Sequence, residues 1–310
     1  MSPTEFLLLL HSVPHIGEKA LSRLLRLTAQ SRLTPESFLA MTGDEWQRRF
    51  ELHPEAASAL ETQREDLIAR SVELARILRT FGIQLLSAES ATYPARIVRN
   101  EDVPPPLLYA IGPTSLLKHS YGSERFTFTI AVSNGASSKS LDRIDELGGE
   151  LSVCGGIPVT GHDRPPYQRL ALASQRRSNP TIYVLDRGLR EALGAQFDRP
   201  PFAAARIRDH EYVSDRDLTL SPFRLDDHSI GANNRRRDSL IFALADMIVA
   251  LDVRAGGAMF DSCLRAAKQG RPVYVAADGR DGNEALIAQG CALLPPGPSG
   301  VKQVVQALRK

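Results

Sequence analysis

Residues 233–277 constrain the fold more than any other stretch of the chain. A helical segment carrying Leu240, Ile241 and Leu244 runs into the apolar run Met247–Leu251. The chain breaks at Gly256-Gly257, a second helix carries Phe260, Leu264 and Ala267, and Gly270 precedes another apolar run, Val273–Ala277. Both runs are short, bounded by breakers and apolar without alternation, which is the pattern of strands buried on both faces of a parallel sheet. Such strand–loop–helix–strand units hold ligands at the carboxyl ends of their strands, where helix N-termini offer free N–H groups to an anion. The stretch therefore predicts both a doubly wound α/β sheet and the end of that sheet that carries a site.

Composition excludes several classes. With 310 residues, 43% of them hydrophobic, the chain can build two domains or one large α/β domain with an appendage. Leu7–Leu10 have no basic segment before them and Pro14 after them, so neither a signal peptide nor a membrane span is expected, and the expected location is the cytoplasm. Cys154, Cys263 and Cys291 lie far apart with no CxxC pair, which fits small buried side chains in a reducing compartment and predicts no zinc site; no cofactor is expected. The net charge is +2, and residues 1–86, with ten Lys/Arg against eleven Asp/Glu, leave +3 for the remainder. A basic surface must therefore come from arrangement in space.

Residues 1–86 read as an all-helical domain, with helical apolar spacing at Glu5–His11, Glu18–Leu27, Pro35–Ala40, Asp44–Phe50, Pro54–Gln63 and Leu67–Phe81. Within it, residues 12–25 read as a helix-hairpin-helix around His15, Gly17 and Lys19, whose turn at Pro14–Gly17 can present N–H groups to a phosphate; a plain packing hairpin is the competing reading. Residues 87–125 form a proline-rich connector ending in an edge strand at Leu107–Ile111. From 126 to 310 the elements alternate. A strand at Phe126–Ser133 leads to a helix at Ser138–Leu147 capped by Gly148-Gly149, then a strand at Glu150–Cys154 broken by Gly155-Gly156. A helix at Tyr167–Ser174, a strand at Thr181–Leu185 and a loop-rich stretch with a strand at Glu211–Ser214 follow. After the opening stretch come a helix from Gly282 to Ala288, a short strand at Cys291–Leu294 and a terminal helix at Val301–Leu308. The expected class is α/β: an extended Rossmann-like doubly wound sheet preceded by a small helical domain.

Several segments, in order, resemble the DNA-processing protein A family (DprA, also called Smf). They are Tyr93-Pro94 with Pro104–Tyr109 and Gly112, the strand Ile130–Ser133, Gly155-Gly156 with Gly161 and Asp163, Thr181–Leu185 with Gly188, and Arg237–Ile241 with Leu244–Asp246. Gly256-Gly257, Gly270–Val273 and Gly282-Asn283 with Leu286, Ile287 and Gly290 complete the set, which spans roughly residues 12–294. The resemblance implies a helix-hairpin-helix domain, an extended Rossmann domain that binds single-stranded DNA without cutting it, a homodimer, and delivery of DNA to a RecA-like recombinase. It also implies a phosphate cradle of backbone amides and arginines, carried over here to Asn134, Gly135, Gly155, Gly156, Asn234, Arg235, Arg236, Arg237, Gly256 and Gly257. The departures are specific. The family's Gly-Ser-Arg is here Ser133-Asn134-Gly135, its Ser-Gly-x-Ala-Arg-Gly-x-Asp turn lacks the serine and arginine, and the histidine expected after Asp163 is Tyr167.

These observations leave a non-catalytic protein that binds single-stranded DNA and presents it to a partner, and, against it, an antitoxin or regulatory subunit of a bacterial defence module that contacts a cognate toxin. A third reading, a nucleotide-binding phosphoribohydrolase, is disfavoured: Gly256-Gly257 is followed by Ala258–Asp261 without the Thr and Glu such enzymes use. His162 beside Asp163 is read as a loop or capping pair rather than an acid/base pair. The chain is expected not to be an enzyme.

Overall fold

Helices open the chain because their first turns are capped by their own side chains. In the computed structural model, which describes residues 1–118, 124–201 and 215–309, Ser2 and Glu5 form a capping box at the start of α1 (Pro3–Ser12). Thr34 with Ser37 does the same for α3 (Pro35–Leu39), and Thr42 with Glu45 for α4 (Gly43–Phe50). With α2 (Glu18–Gln30), α5 (Pro54–Thr62) and α6 (Arg64–Thr80) these helices bury a core around Phe38, Trp46 and Phe50. The Trp46 indole donates to the Phe38 carbonyl at 3.0 Å, so its one polar atom is satisfied inside the core. The helices belong to a unit made of Met1–Tyr93, Val103–Ala110 and Pro222–Arg224. Two strands accompany them, β1 (Gln84–Ser87) and β2 (Leu107–Ile111), paired antiparallel. In this unit His11 is half-buried against Tyr109, its Nδ1 2.9 Å from the phenolic oxygen; desolvation, with Arg224 adding to it, pushes its pKa down to about 3.

The second unit is made of Pro94–Asp102, Ile111–Ser221 and Leu225–Lys310. After α7 (Ala95–Asn100) it alternates β3 (Phe126–Val132), α8 (Ser138–Val153), β4 (Gly156–Thr160), α9 (Pro165–Gln175), β5 (Ile182–Val184), α10 (Leu189–Leu193) and β6 (Leu218–Ser221). It continues with α11 (Gly231–Leu244), β7 (Met247–Asp252), α12 (Ala258–Lys268), β8 (Val273–Val275), α13 (Asp281–Ala288), β9 (Ala292–Leu293) and α14 (Gly297–Leu308). Its strands lie in the order β6-β5-β4-β3-β7-β8-β9, every pair parallel. The chain winds outward from β3 through β6, then returns to place β7 on the other side of β3. That reversal opens a crevice at the carboxyl ends of β3 and β7.

Period-two alternation divides the core between the two faces. Phe126, Phe128, Ile130 and Val132 of β3 and Met247, Val249 and Leu251 of β7 point to α8 and α14. Ala131, Ile248 and Ala250 point the other way, against Phe242 of α11 and Met259 and Cys263 of α12. The first run of the opening stretch is thus a strand buried on both faces, whereas in the second Val273 and Val275 are buried and Tyr274 is half-buried.

Three expectations are corrected. Gly148-Gly149 do not end α8. The helix runs on to Val153, so the expected strand at Glu150–Cys154 is its last turn. Gly148 is small because α9 packs there: a Cβ would stand 2.9 Å from Leu170 Cδ1 and 3.3 Å from Ala173 Cβ. The left-handed cap is Gly155 (φ 90°), and the strand starts after it, at Gly156. Leu107–Ile111, expected as an edge, is buried at all five positions with β1 paired along it. The second run of the opening stretch is strand only over Val273–Val275. The strand expected at Glu211–Ser214 lies outside the described residues.

Candidate functional site

Adjacent strands carry adjacent loops. Val132 of β3 pairs in register with Asp252 of β7, so residues 133–135 and 253–257 leave the sheet side by side. They are laced together: Ser133 N donates to Asp252 O at 2.9 Å, and Arg254 N donates to Ser133 Oγ at 3.0 Å. Arg280 holds the other side, its guanidinium on the Asp252 carboxylate (2.7 Å) and on the carbonyls of Asn134 and Gly135 (3.1 Å each). Asn283 closes the floor, accepting from Val253 N and donating to the Ala250, Leu251 and Ala276 carbonyls. Every turn-forming carbonyl and amide named here is satisfied by protein, which makes the lip rigid.

On that frame Asn134, Gly135, Arg254 and Gly256 are exposed. Gly135 (φ 75°) and Gly256 (φ 65°) both occupy the left-handed region, and a Cβ at either would meet nothing within 4 Å. The turns therefore need glycine for conformation and leave open space beside it. Gly257 is the N-cap of α12 and supplies no side-chain cap, and Arg254 Nε lies 4.0 Å from where a Gly257 Cβ would stand. A guanidinium thus sits beside a helix N-terminus whose first amides lack a side-chain acceptor. Sequence reasoning missed Arg254; its position three residues before Gly257 and two after the strand was the available signal. Below the lip, Gly135, Ser137, Ser140, Asp252 and Arg280 help line a cavity of about 260 Å³.

The expected arginine cluster is not a cradle. Consecutive residues on a helix point about 100° apart, and α11 sends the three side chains to three environments. Arg235 is exposed, and no contact among the described residues ties it to either turn. Arg236 pairs with Glu101 at 3.3 Å, where Ser239 also donates to the same carboxylate; burial raises the Glu101 pKa. Arg237 is 1% exposed and donates to Asp163 at 2.5 Å and to Asp238 at 2.9 Å. Asn234 is half-buried, and its neighbour Asn233 donates to the carbonyl of Asp186.

Arg237 belongs to a closed network. Tyr167 replaces the expected histidine, and two guanidiniums lie against its ring, Arg164 at 4.2 Å and Arg237 at 5.0 Å from its centre. Its hydroxyl donates to Asp238 Oδ1 at 2.6 Å and accepts from Arg164, which also donates to Asn134 Oδ1 at 2.8 Å. Burial raises the Tyr167 pKa, so the phenol stays protonated. Gly161 makes room for this: a Cβ there would stand 2.5 Å from the Tyr167 ring and 3.2 Å from Arg237 Cδ. Next to it, burial opposes charge on Asp186, yet hydrogen bonds from Arg187 and Ser229 outweigh it and hold the carboxylate below its usual range. His162 Nε2 lies 3.6 Å from that carboxylate, and burial lowers the imidazole pKa.

Gly155 and Gly156 stand at the wrong end of the sheet for the expected role. Gly156 pairs with Phe126 at the start of β3, and a Cβ on Gly155 would lie 2.7 Å from the Glu124 carbonyl. In the other unit, His15 (φ 62°) turns its Nδ1 to Glu55 at 3.1 Å, Gly17 is the N-cap of α2, and Lys19 is exposed in the first turn.

Compared by sequence with protein-family models and with curated proteins, the chain matches none. Solved structures do match. DNA processing protein A from Streptococcus pneumoniae superposes with a TM-score of 0.74 at 17% identity, covering 98% of each chain. The chain has the fold of DNA processing protein A. The Helicobacter pylori protein of that name, described for its single-stranded DNA binding mode, superposes with a TM-score of 0.55 at 21% identity over 74% of this chain and 96% of its own. Among the described residues, no helix is long and apolar enough to cross a membrane, and no group of three or more His, Cys, Asp or Glu is placed to hold a metal.

Proposed function

We propose that this chain is a non-catalytic DprA-fold protein that holds single-stranded DNA across the paired turns at 133–135 and 253–257 and presents it to a protein partner. One observation carries the reading: the Arg254–Ser133 hydrogen bond brings two glycine turns together at the sheet's switch point, beside the uncapped start of α12 and an exposed guanidinium. That lip offers amides and charge to a phosphate backbone and room for the strand to lie close. The fold match to the Helicobacter protein supports the ligand class. In this reading Arg254 replaces Arg237 as the cationic contact, and Asn134, Gly135, Gly256 and Gly257 shape the track. A recombinase-like partner and a homodimer belong to the same proposal, as does a cytoplasmic location.

Fluorescence anisotropy with a labelled single-stranded oligonucleotide tests it. Binding that weakens severalfold in Arg254→Ala, and that duplex DNA does not match, is the expected result; equal affinity of wild type and variant sinks the reading.

The neutralised network around Arg237 favours a second reading, a regulatory or antitoxin subunit that kept the scaffold for protein contact. It predicts no oligonucleotide binding by the wild type and toxicity of a neighbouring gene when this one is deleted.

A further inference from the structure

Two hydrogen-bond donors and a third, ion-paired group converge on one carboxylate. The Tyr167 hydroxyl and Arg237 Nε reach Asp238 Oδ1 at 2.6 and 2.9 Å, and Arg164 lies 3.7 Å from Oδ2. Two cations and a hydroxyl directed at one point form an anion site. It lies near the surface, since the side chains of Arg164 and Asp238 are 21% and 15% exposed. Arg164 also reaches Asn134, so the site opens onto the lip described above.

The charges within it cancel. Arg164 and Arg237 are matched by Asp163 and Asp238, and the next pair outward, Arg187 and Asp186, cancels as well. An arriving phosphate would meet no net positive charge and would lose hydrogen-bond donors already engaged. Asp238 lies inside α11, and its carboxylate is turned onto the Tyr167 hydroxyl and Arg237, with Arg164 paired beside them.

We propose that Asp238 is the internal counter-anion of the cluster formed by Arg164, Tyr167 and Arg237, and that its charge keeps phosphate groups from binding that cluster. The chemical class refused is a phosphate monoester or diester oxyanion. An asparagine of the same shape keeps a hydrogen bond from Tyr167 or Arg237 but leaves the cluster with one uncompensated positive charge, which an external anion then neutralises. The inference does not require that the lip bind DNA.

Inorganic phosphate is the probe. Thermal unfolding and calorimetry in phosphate against chloride at equal ionic strength should show no phosphate-specific stabilisation of the wild type. Asp238→Asn should bind phosphate about tenfold or more tightly than the wild type, the scale of one freed charge-assisted contact. Adding Arg164→Ala should remove the gain. Should the amide variant fold poorly, Asp238→Ser, smaller and uncharged, carries the same comparison. Phosphate binding by the wild type at the level of the variants overturns the proposal, and so does its absence from every folded Asp238 variant. Because the readout uses phosphate alone, either result stands whether or not an oligonucleotide binds.

Discussion

The Arg237 guanidinium and the Asp163 carboxylate lie 2.5 Å apart, one from the middle of α11 and the other from the loop between β4 and α9, and the arginine is almost wholly excluded from solvent. An arginine so placed holds the carboxyl ends of the sheet together rather than reaching for a ligand. Removing one partner of such a pair leaves an uncompensated buried charge.

Arg237→Ala should therefore destabilise the protein by about 3–5 kcal/mol, read as a lower urea midpoint. Arg254→Ala, at an exposed position, should stay within about 0.5 kcal/mol of wild type. Equal stability of the two variants would contradict the assignment of structural and binding roles.

Gly155 and Gly135 both have positive φ, and only one of them is crowded. Gly155→Ala combines left-handed strain with a Cβ 2.7 Å from a backbone carbonyl and should cost at least ~2 kcal/mol. Gly135→Ala meets open space and should cost about 1 kcal/mol. Differential scanning calorimetry separates them.

His11 is neutral in the folded chain, with its pKa pushed down to about 3, whereas the unfolded chain titrates near the ordinary value of 6.5. Because the folded pKa is the lower one, the unfolded state takes up the proton first. Stability is full above about pH 6.5 and falls toward pH 3 at up to ~1.4 kcal/mol per pH unit. Between pH 7 and pH 5 the loss from this group should be about 2 kcal/mol. His11→Phe should flatten that part of the urea-midpoint profile; an unchanged slope would show that His11 does not drive it.

Much of the fold was legible in residues 233–277, because strands buried on both faces need no partner to explain their apolar runs and Gly256-Gly257 can only be a turn. The helices within residues 1–86 were legible from apolar spacing and breakers. Gly148-Gly149 misled because a glycine pair inside a helix has the same local pattern as one that ends it; only the approach of Leu170 and Ala173 distinguishes them, and that contact is tertiary. The turns at 133–135 and 253–257 were legible because glycine marks them. The arginines were misplaced because Arg235, Arg236 and Arg237 are neighbours in sequence but diverge around a helix. Their acidic partners, Glu101 and Asp163, come from distant segments that no local pattern connects to them.

The salt dependence of single-stranded DNA binding tests the central claim most directly. If Arg254 at the paired glycine turns contacts the phosphate backbone, log Kobs should fall linearly with log salt for the wild type, and Arg254→Ala should lower both the affinity and the magnitude of the slope by about 0.7. Binding that ignores salt, or a slope unchanged in Arg254→Ala, would contradict a phosphate track on this lip.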